Sequence, residues 1–117
     1  MINGIEAIPP ELLGMVAILK KAIGKDDENN IKYQKIDLSM VRIDFTKDVM
    51  RNKAGDQINL NGLLFYDETY SFPINAKFEE NDIIECIWMG TKYEFKIVAI
   101  EPVFAFNRPI YWIIGLV

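Results

Sequence analysis

Asp82–Met89 (DIIECIWM) and Tyr93–Ile100 (YEFKIVAI), joined through Gly90-Thr91-Lys92, decide how this chain folds. The first run is rich in β-branched and aromatic residues, which suit a pleated, half-buried surface. The second places Tyr93, Phe95 and Ile97 on one parity and Glu94 and Lys96 on the other, the period of a strand. Two such runs around a tight glycine turn make a β-hairpin. Phe78–Asn81 leads into it.

The same reading extends outward from that hairpin. Toward the C-terminus, Glu101–Pro109 contains two prolines and reads as a connection, with Ile110–Val117 as a closing strand. Toward the N-terminus, Asp67–Ala76 is a loop holding Pro73, and Ile58–Tyr66 (INLNGLLFY) is a strand in which Gly62 marks a bulge or a close approach. Ahead of it lies the longest polar stretch, Thr46–Gln57 (TKDVMRNKAGDQ), whose Asn52 and Ala54-Gly55-Asp56 are turn formers. Ile31–Phe45 alternates again, with Tyr33, Lys35 and Asp37 opposite Ile36, Leu38 and Met40.

Glu11–Ile23 admits two readings. Pro10 suits a first helical position, and Leu12, Leu13, Val16 and Leu19 recur at helical spacing. Gly14 opposes a helix at a cost of about 1 kcal/mol, and the polar turn Gly24–Asn30 (GKDDENN) between two apolar runs is a hairpin arrangement. We therefore expect a short helical turn over Pro10–Leu13 and a strand over Met15–Ile23, preceded by an irregular arm over 1–10. The expected architecture is mainly β: one domain over residues 1–117, an antiparallel barrel or sandwich of about six strands, with a long polar loop at 46–57.

Composition narrows the function. At 117 residues the chain suits one domain, and half of it is apolar, enough for a real core. Thirteen basic and 17 acidic residues leave a charge of −4, unlike the basic face of a protein wrapped in nucleic acid. Without a histidine, the chain can build neither a Ser-His-Asp triad nor an H-E-x-x-H zinc site. Cys86 alone can form neither an internal disulfide nor a cysteine metal cluster. No signal-peptide pattern opens the sequence, and its longest apolar stretch, Ile110–Val117, falls well short of the roughly 20 residues of a membrane helix.

Carboxylates are the remaining catalytic material, as Glu79, Glu80, Asp82 and Glu85 or as Asp26, Asp27 and Glu28. Acidic residues beside a strand ordinarily keep its edges soluble, and GKDDENN lacks the spacing of a calcium loop. Neither catalysis nor metal binding is expected of them. Cys86 reads as a buried small hydrophobe. Trp88 and Trp112 fit the core, or an interface, where tryptophan is an enriched anchor. Lys47, Arg51 and Lys53 give the 46–57 loop a slight basic excess over Asp48 and Asp56.

The order of segments adds a resemblance. An acidic turn between two strands ends in Val41–Phe45 (VRIDF); then come TKDVMRNKAGDQ, INLNGLLFYD and FEENDIIECIWMGTKYEFKIVAIEPV, and an aromatic-rich strand closes the chain. Its most telling positions are Phe78, Asp82, Ile84, Gly90, Tyr93 and Ile97 or Val98. From about Pro9 to Val117 the sequence resembles small tailed-phage and prophage proteins, the minor capsid or head–tail connector proteins. Members often carry histidines before the final strand. Asn107, Arg108 and Pro109 stand there instead, so no role tied to those histidines carries over.

The resemblance implies assembly in a virion, without catalysis or cofactor. It points to a stopper-like subunit, made in the bacterial cytoplasm, that forms a ring beneath the portal and its adaptor and joins the tail proteins. Lys47, Arg51 and Lys53 would then sit on a channel loop in non-specific contact with packaged DNA, and Trp88 and Trp112 at subunit interfaces. An OB- or SH3-like barrel binding a peptide or nucleic acid is the alternative, and would present a row of exposed aromatics on one face.

Overall fold

A computed structural model describes residues 8–117; the expected arm over 1–10 lies outside the described residues except for its last three. A single 3₁₀ turn, Pro10–Leu12, opens the described chain, with Leu13 N–H closing on Pro10 O at 3.0 Å. Eight strands follow: β1 (Met15–Lys25), β2 (Ile31–Asp44), β3 (Asp48–Arg51), β4 (Gln57–Leu60), β5 (Gly62–Asp67), β6 (Ile83–Trp88), β7 (Thr91–Ala105) and β8 (Arg108–Leu116). Six of them close an antiparallel barrel in the order β1-β2-β5-β8-β7-β6, while β3 and β4 form a separate two-stranded sheet. This decides the open choice between barrel and sandwich. Closure removes the edges that a flat sheet would expose.

The alternation read from the sequence fills the barrel. Leu19, Leu38, Val41, Leu64, Ile84, Ile97 and Ile114 point inward and are fully or almost fully buried. Cys86 lies among them, and burial pushes its thiol pKa up, so it behaves as a small apolar side chain. Phe45, the last residue of VRIDF, lies against Tyr93, Phe95 and Trp88, with ring centroids 5.1–5.9 Å apart. Tyr66 meets Phe78 edge-on at 5.4 Å.

Two boundaries differ from the expectation. The polar stretch 46–57 is not an irregular loop: Asp48–Arg51 pairs with Gln57–Leu60, leaving only a short turn at its tip. Met50, Ile58 and Leu60 share the face turned to the barrel, which gives so polar a segment its apolar footing. Gly115 makes room for it, since a Cβ there would lie 3.0–3.1 Å from both Leu60 methyls and the Met50 sulfur. The expected strand over Ile58–Tyr66 accordingly breaks at Asn61, where the chain leaves the small sheet and enters the barrel. Gly62 is a close approach: a Cβ would meet Asp44 O at 3.2 Å.

The second difference is at Glu101–Pro109. Instead of a connection, the β7–β8 ladder runs on to a turn of Phe106 and Asn107, with Pro102 opposite Trp112 and Pro109 opposite Phe104. Pro102 lies beyond the reach of β6, and Pro109 beyond that of β5, so each has one unpaired side. Such edge positions tolerate a missing N–H.

Candidate functional site

Lys47 stands at the base of the β3–β4 hairpin, Arg51 at the end of β3 and Lys53 in the tip, and all three are exposed. Lys47 Nζ donates to Asn61 Oδ1 (2.7 Å) and the Arg51 guanidinium to Gly55 O (2.9 Å). The tip is a self-bonded turn, in which Asn52 Oδ1 accepts from Asp56 N at 2.8 Å. It leans on the segment before β6, where Lys53 N donates to Glu80 Oε2 at 2.5 Å. The hairpin is thus held on the outside of the barrel with its three cations spread from base to tip.

The two tryptophans sit apart. Trp88 is exposed at the end of β6, one face against Phe45. Trp112 packs on the core from β8 and donates its indole N–H to Glu68 Oε1 at 2.5 Å.

The carboxylates do not converge on a reaction centre. Glu85 accepts from Lys20 (2.8 Å) and Lys92 (2.9 Å), and these two ammonium groups hold its pKa down to about 2. Glu85 in turn raises the pKa of Lys20. Asp82 takes Lys21 at 2.6 Å, with Glu79 at 3.6 Å from the same ammonium. In the β1–β2 turn, Asp26 Oδ1 accepts from Glu28 N and Asn30 N, each at 2.9 Å, which is turn chemistry. Among the described residues no cluster suited to a metal ion is found, and no helix is long and apolar enough to cross a membrane.

The Glu85 pair has a pH signature. Its folded pKa lies below the ordinary 4.5, so the stability it contributes is present above that value and is lost as the pH falls toward 2. In urea unfolding, Glu85→Gln should be less stable than the parent at pH 7, and the gap should close as the pH drops through that window. A gap independent of pH would refute the assignment.

Two features escaped the sequence reading. The β1–β2 ribbon leaves the barrel beyond Lys20 and exposes Ile23, Ile31 and Tyr33. The β7–β8 tip carries Phe104 and Phe106 into solvent. The signal for the tip was present in FAFNRP, where an Asn tolerant of positive φ sits between aromatic and proline residues. The prolines hid it.

Those segments fall in a common frame. The model of the minor capsid protein family matches residues 13–113, nearly the whole described barrel. The chain belongs to that family, and its place is among the structural proteins of the phage particle. No curated protein and no solved structure matches the chain.

Proposed function

We propose that this minor capsid protein is a head–tail connector of the stopper kind, a subunit of a ring that docks beneath the portal and its adaptor and receives the tail. The observation that carries the reading is a small closed barrel, in a family of virion proteins, from which the β1–β2 and β7–β8 hairpins reach outward while β3–β4 lies on its surface. A connector needs that division of labour: a rigid body, with separate extensions for neighbours above, below and beside it. An adaptor would be expected to be mainly helical, and this chain is strand throughout its barrel. The exposed aromatics stand at several hairpin ends, Tyr33, Trp88 and Phe106 among them, which gives no support to a stacking platform for nucleic acid.

In this reading Lys47, Arg51 and Lys53 face the channel and touch packaged DNA without sequence preference. Three cations set against Asp48 and Asp56 make that contact weak, which lets DNA pass. The test is reconstitution with the portal–adaptor complex and tail. The wild type should bind the assembled ring; absence of binding would overturn the connector role. Lys47, Arg51 and Lys53 replaced together by alanine should cost about 0.5 kcal/mol of stability or less at each position, as exposed changes do. Particles built with that variant should lose DNA or fail to join tails, and normal particle yields would remove these cations from the channel.

A further inference from the structure

The turn at Phe106-Asn107 has both residues at positive φ, +54° and +66°. That is the conformation of a two-residue hairpin turn in which Asn and Gly are at home and a bulky residue is strained. Phe106 is nevertheless held there with 73% of its surface in water, beside Phe104 at 54%. Strain and solvent exposure both work against phenylalanine at this point, and a partner that buries the rings would relieve the second.

A recess lies on the face of the barrel centred on β1. The outer faces of β1, β2 and β6 form a mainly apolar groove of about 410 Å³ lined by Val16, Ile18 and Ile87, with Asp37, Ser39 and Glu85 also in its lining, the last already held by Lys20 and Lys92. Val16 and Ile87 are 69% and 71% exposed. The charges are complementary. Arg108 follows the aromatic tip, Asp37 stands by the groove, and among the described residues neither has an ion-pair partner.

We propose that the β7–β8 tip of one copy seats in the β1–β2–β6 groove of a second copy, burying Phe104 and Phe106 against Val16 and Ile87 and pairing Arg108 with Asp37. The tip and the groove are different patches of the chain, so the contact is head-to-tail, and repetition builds a ring or an open chain. Aromatic anchors in an apolar pocket with a charged rim are the usual source of interface energy. The inference rests on the ring-forming reading above and gives that ring its lateral contact.

Sedimentation velocity over a concentration series to millimolar tests it. The wild type should grow beyond dimer, whereas F104S/F106S (tip) and V16E/I87E (groove) should each remain monomeric. All four positions are exposed, so circular dichroism should show both variants folded. Mixed, the two should stop at dimer, because only one productive contact is left to them. R108D and D37R should each weaken association at least tenfold, and their combination in one chain should restore it. A wild type that stays monomeric to millimolar, or a groove variant that associates like the parent, overturns the contact. Portal-ring binding is read separately: a wild type that binds that ring but never self-associates defeats this contact and leaves the connector reading standing.

Discussion

Tyr66→Ala should destabilise the barrel by about 3–5 kcal/mol, the range for removing a buried aromatic side chain. Tyr66 is completely buried at the β5 position opposite Val41 and Trp112, so the cavity would open at the centre of the barrel wall. Its ring also meets Phe78 edge-on, which couples the segment before β6 to the core. The hydroxyl has its own role: it donates to Pro73 O and accepts from Ala76 N at 3.3 Å, tying down the far half of the 68–76 loop. Tyr66→Phe keeps the volume and leaves both backbone groups unpaired, at about 1–3 kcal/mol. Urea midpoints at neutral pH separate the two components. With total stability of about 5–15 kcal/mol for such a domain, the alanine variant should be close to unfolding. A loss below about 1 kcal/mol would show that the loop and Phe78 collapse into the vacated space.

Why Tyr66 could be placed in a strand from sequence, while its loop contacts could not, follows from range. Alternation is a local property. It marked β2 and β7, while β6 showed in its β-branched and aromatic residues, β1 in the polar turn that follows it, and the 3₁₀ turn in Pro10. The β3–β4 hairpin was invisible because its strands are four residues each and its apolar footing, Met50, Ile58 and Leu60, is split between them by a polar turn. The β7–β8 extension was hidden by two prolines that are harmless only where no further strand pairs on their far side. Closure is a third kind of information. Glu85 meets Lys20 because Ile18 pairs with Glu85 when β6 closes on β1, a register between residues 67 positions apart, and no local pattern carries it. The candidate surfaces suffered from the same limit. The basic residues of 46–57 were legible as a cluster, but the separation of Trp88 from Trp112 and the exposure of Phe106 depend on which hairpin end each one occupies.

Asp67 is the second residue on which a large effect should concentrate. It is fully buried and among the described residues has no lysine or arginine partner, so its carboxylate is satisfied by peptide N–H groups. Oδ1 accepts from Thr69 N (2.8 Å) and Tyr70 N (3.1 Å), and Oδ2 accepts from Ile8 N (2.7 Å). Its own N–H donates to Ser71 Oγ at 2.9 Å, and that hydroxyl donates onward to Met40 O, binding the loop to β2. Asp67→Ala strands three donors at once. Since a buried group left unpaired costs about 1–3 kcal/mol, and the loop relaxes to hydrate some of them, the expected net loss is about 3–5 kcal/mol. Asp67→Asn retains one acceptor oxygen for the Thr69 and Tyr70 amides and turns a donor toward Ile8, so it should fall between, at about 1–2 kcal/mol. Hydrogen exchange should report the same order locally, with the Thr69 and Tyr70 amides losing protection in the alanine variant and largely keeping it in the asparagine variant. The loop also buttresses the proposed contact: Glu68 N donates to Ile110 O at 3.0 Å, and Glu68 holds the Trp112 indole, both on β8 just below the Phe106 tip. Asp67→Ala should therefore weaken self-association at temperatures where the barrel is still folded, and Asp67→Asn should not. Equal association by both variants would uncouple the loop from the tip and leave Asp67 a purely structural residue.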